Sequence, residues 1–154
     1  MVIFDSTLSH VSEPERAVDE ARRVLQSGGQ FAACDGDYAT ATVALSDHDP
    51  VQACVDAMMA NSVTDRRVMR RLPTLLRECG FQLGPTRSYG FAETGDGGYM
   101  LTVIDRGADM LRAAGKLGDE LAEALKAEAR RRVAVGGFFG HIAYASVIAR
   151  RPSG

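Results

Sequence analysis

Short apolar runs alternate with amphipathic stretches along the chain, and their spacing predicts alternating strands and helices. Val2-Ile3-Phe4 is a brief apolar run ending at Asp5, the pattern of a parallel strand buried on both faces. Ser12, with Pro14 and Glu15 following, predicts a capped helix start in which the Ser12 hydroxyl and Glu15 carboxylate form a capping box. Ala17, Val18, Ala21, Val24 and Leu25 then recur at helical spacing while Asp19, Glu20, Arg22 and Arg23 face water, and Gly28-Gly29 is expected to end the helix. Phe31-Ala32-Ala33-Cys34 is the next buried strand, and the chain is expected to emerge polar at Asp35-Gly36-Asp37-Tyr38. In an open parallel sheet ligands bind beyond the carboxyl ends of the strands, so these four residues and the loop Ser6-Thr7-Leu8-Ser9-His10 fall where a site is expected.

Further along, Asp49 and Pro50 predict the start of a helix whose apolar face is Val51, Cys54, Val55, Met58 and Met59. Leu72, Leu75, Leu76 and Cys79 mark a helical segment within residues 64–79, split by Pro73 and ended by Gly80. A strand is expected over residues 87–93, followed by a turn at Gly95-Asp96-Gly97-Gly98, which lacks the spacing of a phosphate-binding loop. Two helices follow. One spans residues 99–114 with Leu101, Ile104, Ala108 and Leu111 aligned; the other spans 119–135 with Leu121, Ala122, Leu125, Ala129 and Val133 inward. In the second, acids come early and Arg130-Arg131-Arg132 late, as the helix dipole favours. Residues 138–150, rich in Ile, Val and Ala, read as a final strand carrying His141 and Tyr144.

The order hydrophobic-Phe-Asp, Ser-Thr-Leu-Ser-His-Val, Glu-Pro-Glu-Arg-Ala and Arg-Arg-Val-Leu-Gln-Ser-Gly-Gly-Gln resembles the class I S-adenosylmethionine-dependent methyltransferases. It is most similar to the small-molecule branch related to the quinone-biosynthesis enzymes, and the Leu72–Phe81 phrase, ending in Gly-Phe, is similar as well. The resemblance implies an α/β fold: the C-terminal part of a three-layer, Rossmann-like sheet, mixed, with an antiparallel last strand between the fifth and sixth. It implies that Val2–Phe4 lies in the fourth strand and that residues 1–154 are a single partial domain with a helical lid insertion around 46–72. The glycine-rich loop and ribose-binding acid of full-length members are expected ahead of Met1, so the chain alone is expected to be inactive. The implied cofactor is S-adenosyl-L-methionine, contacted by Ser6, Thr7 and Leu8 with His10 closing over it.

Composition narrows the partners. A formal net charge of −2 over 154 residues gives no basic signature for nucleic acid, and Arg66, Arg67, Arg70 and Arg71 read as a solvated helix face. No apolar run approaches membrane-spanning length, and Met1–Val11 does not resemble a signal peptide. Three well-separated cysteines, Cys34, Cys54 and Cys79, lack metal-ligand spacing and fit buried thiols in a reducing, cytoplasmic compartment. Asp47-His48-Asp49 reads as helix capping in preference to a metal site.

Methyl transfer to a small molecule needs an aligned nucleophile, a site that excludes water and, for carbon or oxygen acceptors, a base. Asp35, Asp37, Tyr38 and His141 are the candidates for that base. Two alternatives stay open for these residues: Asp35 and Asp37 as a solvated strand end, and His10 as a packing residue. The competing class is a non-enzymatic, truncated α/β module that associates, as a homodimer or with another chain, through the unpaired edge of Val2–Phe4. A nicotinamide-linked oxidoreductase ranks last, for want of the glycine fingerprint.

Overall fold

The computed structural model describes residues 1–153. Its elements in chain order are β1 (Val2–Asp5), α1 (Pro14–Val24), β2 (Gln30–Thr42), α2 (Gln52–Ser62), α3 (Val68–Glu78), β3 (Gln82–Glu93), α4 (Gly98–Ala113), α5 (Asp119–Ala134) and β4 (Gly140–Arg150), with a single 3-10 turn at Leu8–His10. The strands form one mixed sheet in the order β1-β2-β4-β3. β1 and β2 run parallel in the register Val2↔Phe31 to Asp5↔Cys34, and the remaining pairings are antiparallel. The last strand thus lies between β2 and β3, as the resemblance implies.

The chain gathers into two compact units. The first comprises Met1–Ala39, Val63–Tyr89 and the chain from Ala143 onward; the second comprises Thr40–Ser62 and Gly90–Ile142. Helix α2 therefore belongs to the second unit and α3 to the first.

In the first unit, Val18, Ala21 and Leu25 of the α1 segment and Val68, Met69, Leu72 and Leu76 of α3 close a core with Phe31 and Ala33 of β2 and Val147 and Ala149 of β4. Phe31 is its centre, with the rings of Phe4 and Phe81 each 5.5 Å away. The second unit is built on α2, α4 and α5. Gly107 of α4 lies so close to α2 that a Cβ there would sit 1.8 Å from the Cys54 carbonyl oxygen, so only glycine allows this approach.

Several boundaries differ from the sequence expectation, each for a local reason. No capping box forms at Ser12: α1 begins at Pro14 after Glu13, with no side-chain cap. α1 ends at Val24, before the glycines, because Leu25 is already extended. Gly28, at φ +75°, makes the following turn, which is pinned by backbone bonds of Gly28 and Gly29 to Arg151. Val24 is 54% exposed and leaves the apolar stripe. β2 does not end at Cys34 but continues to Thr42. Pro73 does not split α3, which runs through it as one helix. Its end is as expected: Gly80 at φ +75° donates to Arg77 and Phe81 donates to Leu76, a Schellman motif.

β3 starts at Gln82, five residues early, because an edge strand accommodates Pro85, whose missing N–H needs no ladder partner. α4 buries Met100, Val103, Ile104, Gly107 and Ala108, while Leu101 and Leu111 are half-buried, a rotated face. Its first turn is held by Glu93, whose carboxylate accepts the amides of Tyr99 at 2.8 Å and Met100 at 2.7 Å, an anion at the positive end of the helix dipole. On α5, Leu121, expected inward, is 52% exposed, and Arg132, expected only as a late base of the helix dipole, is buried.

Candidate functional site in the first unit

Seven of the eight predicted site residues lie in the first unit, on the loop after β1 and on the middle of β2. The loop turns sharply at Ser6, a non-glycine residue at φ 47°, whose amide still donates to the Cys34 carbonyl at 2.9 Å. A left-handed conformation at a residue with a side chain is stored strain, of the kind concentrated at functional loops. Thr7 Oγ1 donates to the Asp5 carbonyl at 2.7 Å and so turns the loop back over the strand end. Leu8 is wholly buried in the core, so only its backbone faces outward chemistry.

The loop is locked by Asp35. Ser9 donates its amide to Oδ2 and its hydroxyl to Oδ1, both at 3.0 Å, and the Gly36 amide donates to Oδ1 at 2.8 Å. Asp35 is 1% exposed, and these three donors are what make a buried carboxylate tolerable. Continuing β2 past Cys34 places Asp35 and Asp37 two apart on an extended strand, hence on one face. Asp37 Oδ2 accepts Arg70 Nε at 2.7 Å. The Tyr38 ring lies back across Gly36, where a Cβ would stand 2.9 Å from it, and is 8% exposed. His10, exposed, packs edge-on to Tyr38 with centroids 5.8 Å apart. Burial raises the Cys34 thiol above its ordinary value, helped by the charges of Asp5 and Asp35, which keeps it protonated at neutral pH.

The eighth residue, His141, belongs to the second unit. Its ring stacks on Phe139, 3° from parallel, and covers Gly90, where an added Cβ would lie 3.2 Å from Nε2.

Sequence reading did not find Ser9 as the partner of Asp35 or Arg70 as the partner of Asp37. The pairs are 26 and 33 residues apart, and no local pattern signals them. The parallel register is the one clue, since matching Asp5 with Cys34 brings the loop after β1 over Asp35.

A polar loop at the carboxyl edge of a parallel pair, continued into a mixed sheet with an antiparallel insertion, defines a Rossmann-like α/β fold, the fold also seen in solved methyltransferase structures. Residues 1–33 match the family model described as a methyltransferase domain. A candidate methyltransferase from Bacillus halodurans superposes with a TM-score of 0.58 at 17% identity, over 98% of this chain and 63% of that one. The YcgJ protein from Bacillus subtilis gives 0.54 at 15% identity, over 99% of this chain and 64% of that one. An uncharacterized 37.1 kDa protein in transposon Tn4556 of Streptomyces fradiae is 31% identical over 77 residues, 50% of this chain and 22% of that protein. The chain thus spans less than two thirds of the length of each. Among the described residues no helix is long and apolar enough to cross a membrane, and no group of His, Cys, Asp or Glu is arranged to hold a metal ion.

Proposed function

We propose that the chain forms part of an S-adenosylmethionine-dependent methyltransferase acting on a small molecule, of the branch related to the quinone-biosynthesis enzymes. The observation that supports this reading is the strained loop Ser6–His10, held at the carboxyl edge of β1–β2 by a buried carboxylate. Its residues suit an adenosyl donor. The exposed Ser6 hydroxyl and the lone pairs left on Thr7 Oγ1 offer hydrogen bonds, the Leu8 backbone passes alongside, and His10 supplies an aromatic cover. When bound, the donor supplies an electrophilic methyl on a positive sulfur. Asp35 then acts through Ser9 as a positioning residue, while Asp37 and Tyr38, midway along β2, are the groups that orient an acceptor or take its proton. No glycine-rich donor loop of the G-x-G-x-x-G form occurs in these 154 residues, so donor affinity is weak in this chain by itself and turnover belongs to a larger enzyme.

The test is titration of S-adenosylhomocysteine into isotope-labelled protein, followed by NMR. The amides of Thr7–His10 and Asp35–Tyr38 are expected to shift together, with affinity weaker than micromolar. Perturbation elsewhere with none in these segments overturns the reading.

A second reading, association of two copies through β1, is favoured by one feature: β1 is an edge strand, with Met1 76% and Ile3 60% exposed beside it. Sedimentation should then show a dimer that Ile3→Lys converts to monomer; a concentration-independent monomer excludes this association.

A further inference from the structure

We propose that Arg66 anchors an anionic group, a carboxylate or a phosphate, on the methyl acceptor; this deepens the methyl-transfer reading of the same site and rests on it. The segment before α3 is stitched along the candidate site by three hydrogen bonds. Thr64 Oγ1 donates to the His10 carbonyl at 3.2 Å, the Asp65 amide to the Ser9 carbonyl at 2.9 Å, and the Ala39 amide to the Arg66 carbonyl at 3.3 Å. The Arg66 backbone is thereby fixed beside β2, against the residue that follows Tyr38.

Four arginines crowd residues 66–71, and they are not equivalent. Arg70 is committed to Asp37 at 2.7 Å, and Arg71 to Asp65, with Glu15 3.7 Å away. Arg67 is exposed, where water solvates it. Arg66 is half-buried, yet among the described residues its guanidinium has neither an ion pair nor a hydrogen bond, although it carries five donors and never gives up its charge. A guanidinium with no counter-charge in the protein keeps its fork open, and a planar carboxylate or phosphate is the group that fork matches.

The nearby acids do not compete for it: Asp35 is held by Ser9 and Gly36, and Asp37 by Arg70. A methyl donor with a positive sulfur and an uncommitted guanidinium on the segment bonded along the site together favour an acceptor carrying negative charge over a neutral or cationic one.

The experiment titrates inorganic phosphate, and separately acetate, into the full labelled chain with and without S-adenosylhomocysteine, following the Nε–Hε signals of the arginines. A saturable shift is expected at Arg66, and the tighter of the two anions identifies the acceptor group. In Arg66→Gln the affinity should fall about tenfold or more, as for loss of one charge-assisted pair, with Arg66→Lys intermediate and Arg67→Gln unchanged. Shifts of equal size at Arg66, Arg67, Arg70 and Arg71 that survive in Arg66→Gln overturn the proposal, as does a linear, unsaturating response. If the Gln variant fails to fold, the Arg66 signal of the unaltered protein still decides. S-adenosylhomocysteine binding with no anion response at Arg66 sinks this proposal alone; an anion held at Arg66 with no S-adenosylhomocysteine binding sinks the methyl-transfer reading and leaves the anion site standing.

Discussion

Asp35 shows how much one side chain can decide. The sequence singles out Asp35 as a polar residue following an apolar run, but its reading as the strand's polar mouth fails: Asp35 is buried in the middle of β2. Its partner was not legible either, because Ser9 reaches it only through the pairing of β1 with β2. The same limit explains Leu8, which family resemblance places near the donor but whose side chain the core claims entirely. The Ser9–Asp35 lock carries a prediction. Asp35→Asn keeps the shape but removes the charge and turns one acceptor into a donor, leaving an amide or hydroxyl of the buried loop without its partner. Stability should fall by about 1–3 kcal/mol in urea denaturation. Amide exchange should speed up over Thr7–His10 and not over α5. Unchanged loop protection in this variant refutes the lock.

At the scale of elements, the order of strands and helices was readable from periodicity, and the end of β2 was misread because polarity was taken for solvent. β2 runs eight residues beyond Cys34 because Asp35 and Asp37 find protein partners, so a polar side chain there does not end the strand. The phase of α4 was missed for a related reason. Leucines at positions 101 and 111 drew the predicted stripe, whereas the packed face is centred on Gly107, whose contribution is the absence of a side chain. Hydrophobicity counts atoms that are present and has no signal for a close backbone approach. Gly107→Ala should therefore overpack the α2–α4 contact and cost about 1–3 kcal/mol or more. Gly118→Ala, where φ is −74° and an added Cβ meets nothing within 4 Å, should change stability by no more than about 0.5 kcal/mol. Thermal melts of the two variants side by side decide the point, and equal midpoints would mean that the helices part freely.

For the molecule as a whole, the consequence of these packings is acid sensitivity with a definite sign. Arg132, read in sequence only as a late base that the helix dipole favours, is buried and clasps Asp49 through two bonds of 2.6 and 2.9 Å while also holding Glu128 at 2.9 Å. Burial pushes the Asp49 carboxyl up, but the Arg132 bonds and the Leu45 and Val51 amides outweigh it, and the net shift is downward. Bonds from Arg131 and Arg132 bring Glu128 down to about 2. A carboxylate lowered by folding stabilises the native state at every pH above its unfolded value, about 3.9 for Asp and 4.3 for Glu, and the contribution disappears as pH falls through the folded value. Stability should thus hold flat near neutrality, begin to decline below about pH 4, and lose the Glu128 share by about pH 2. Arg132→Met tests whether the clasp is the cause. It leaves the Asp49 charge buried and unpaired, so the variant should lose about 3–5 kcal/mol at neutral pH. The deficit should narrow on acidification, because an unpartnered Asp49 takes up its proton at a higher pH than in the intact protein. Urea denaturation of both proteins at pH 7 and at pH 4 measures that difference, and a deficit that stays constant between the two would show that the Asp49 charge is not what Arg132 stabilises.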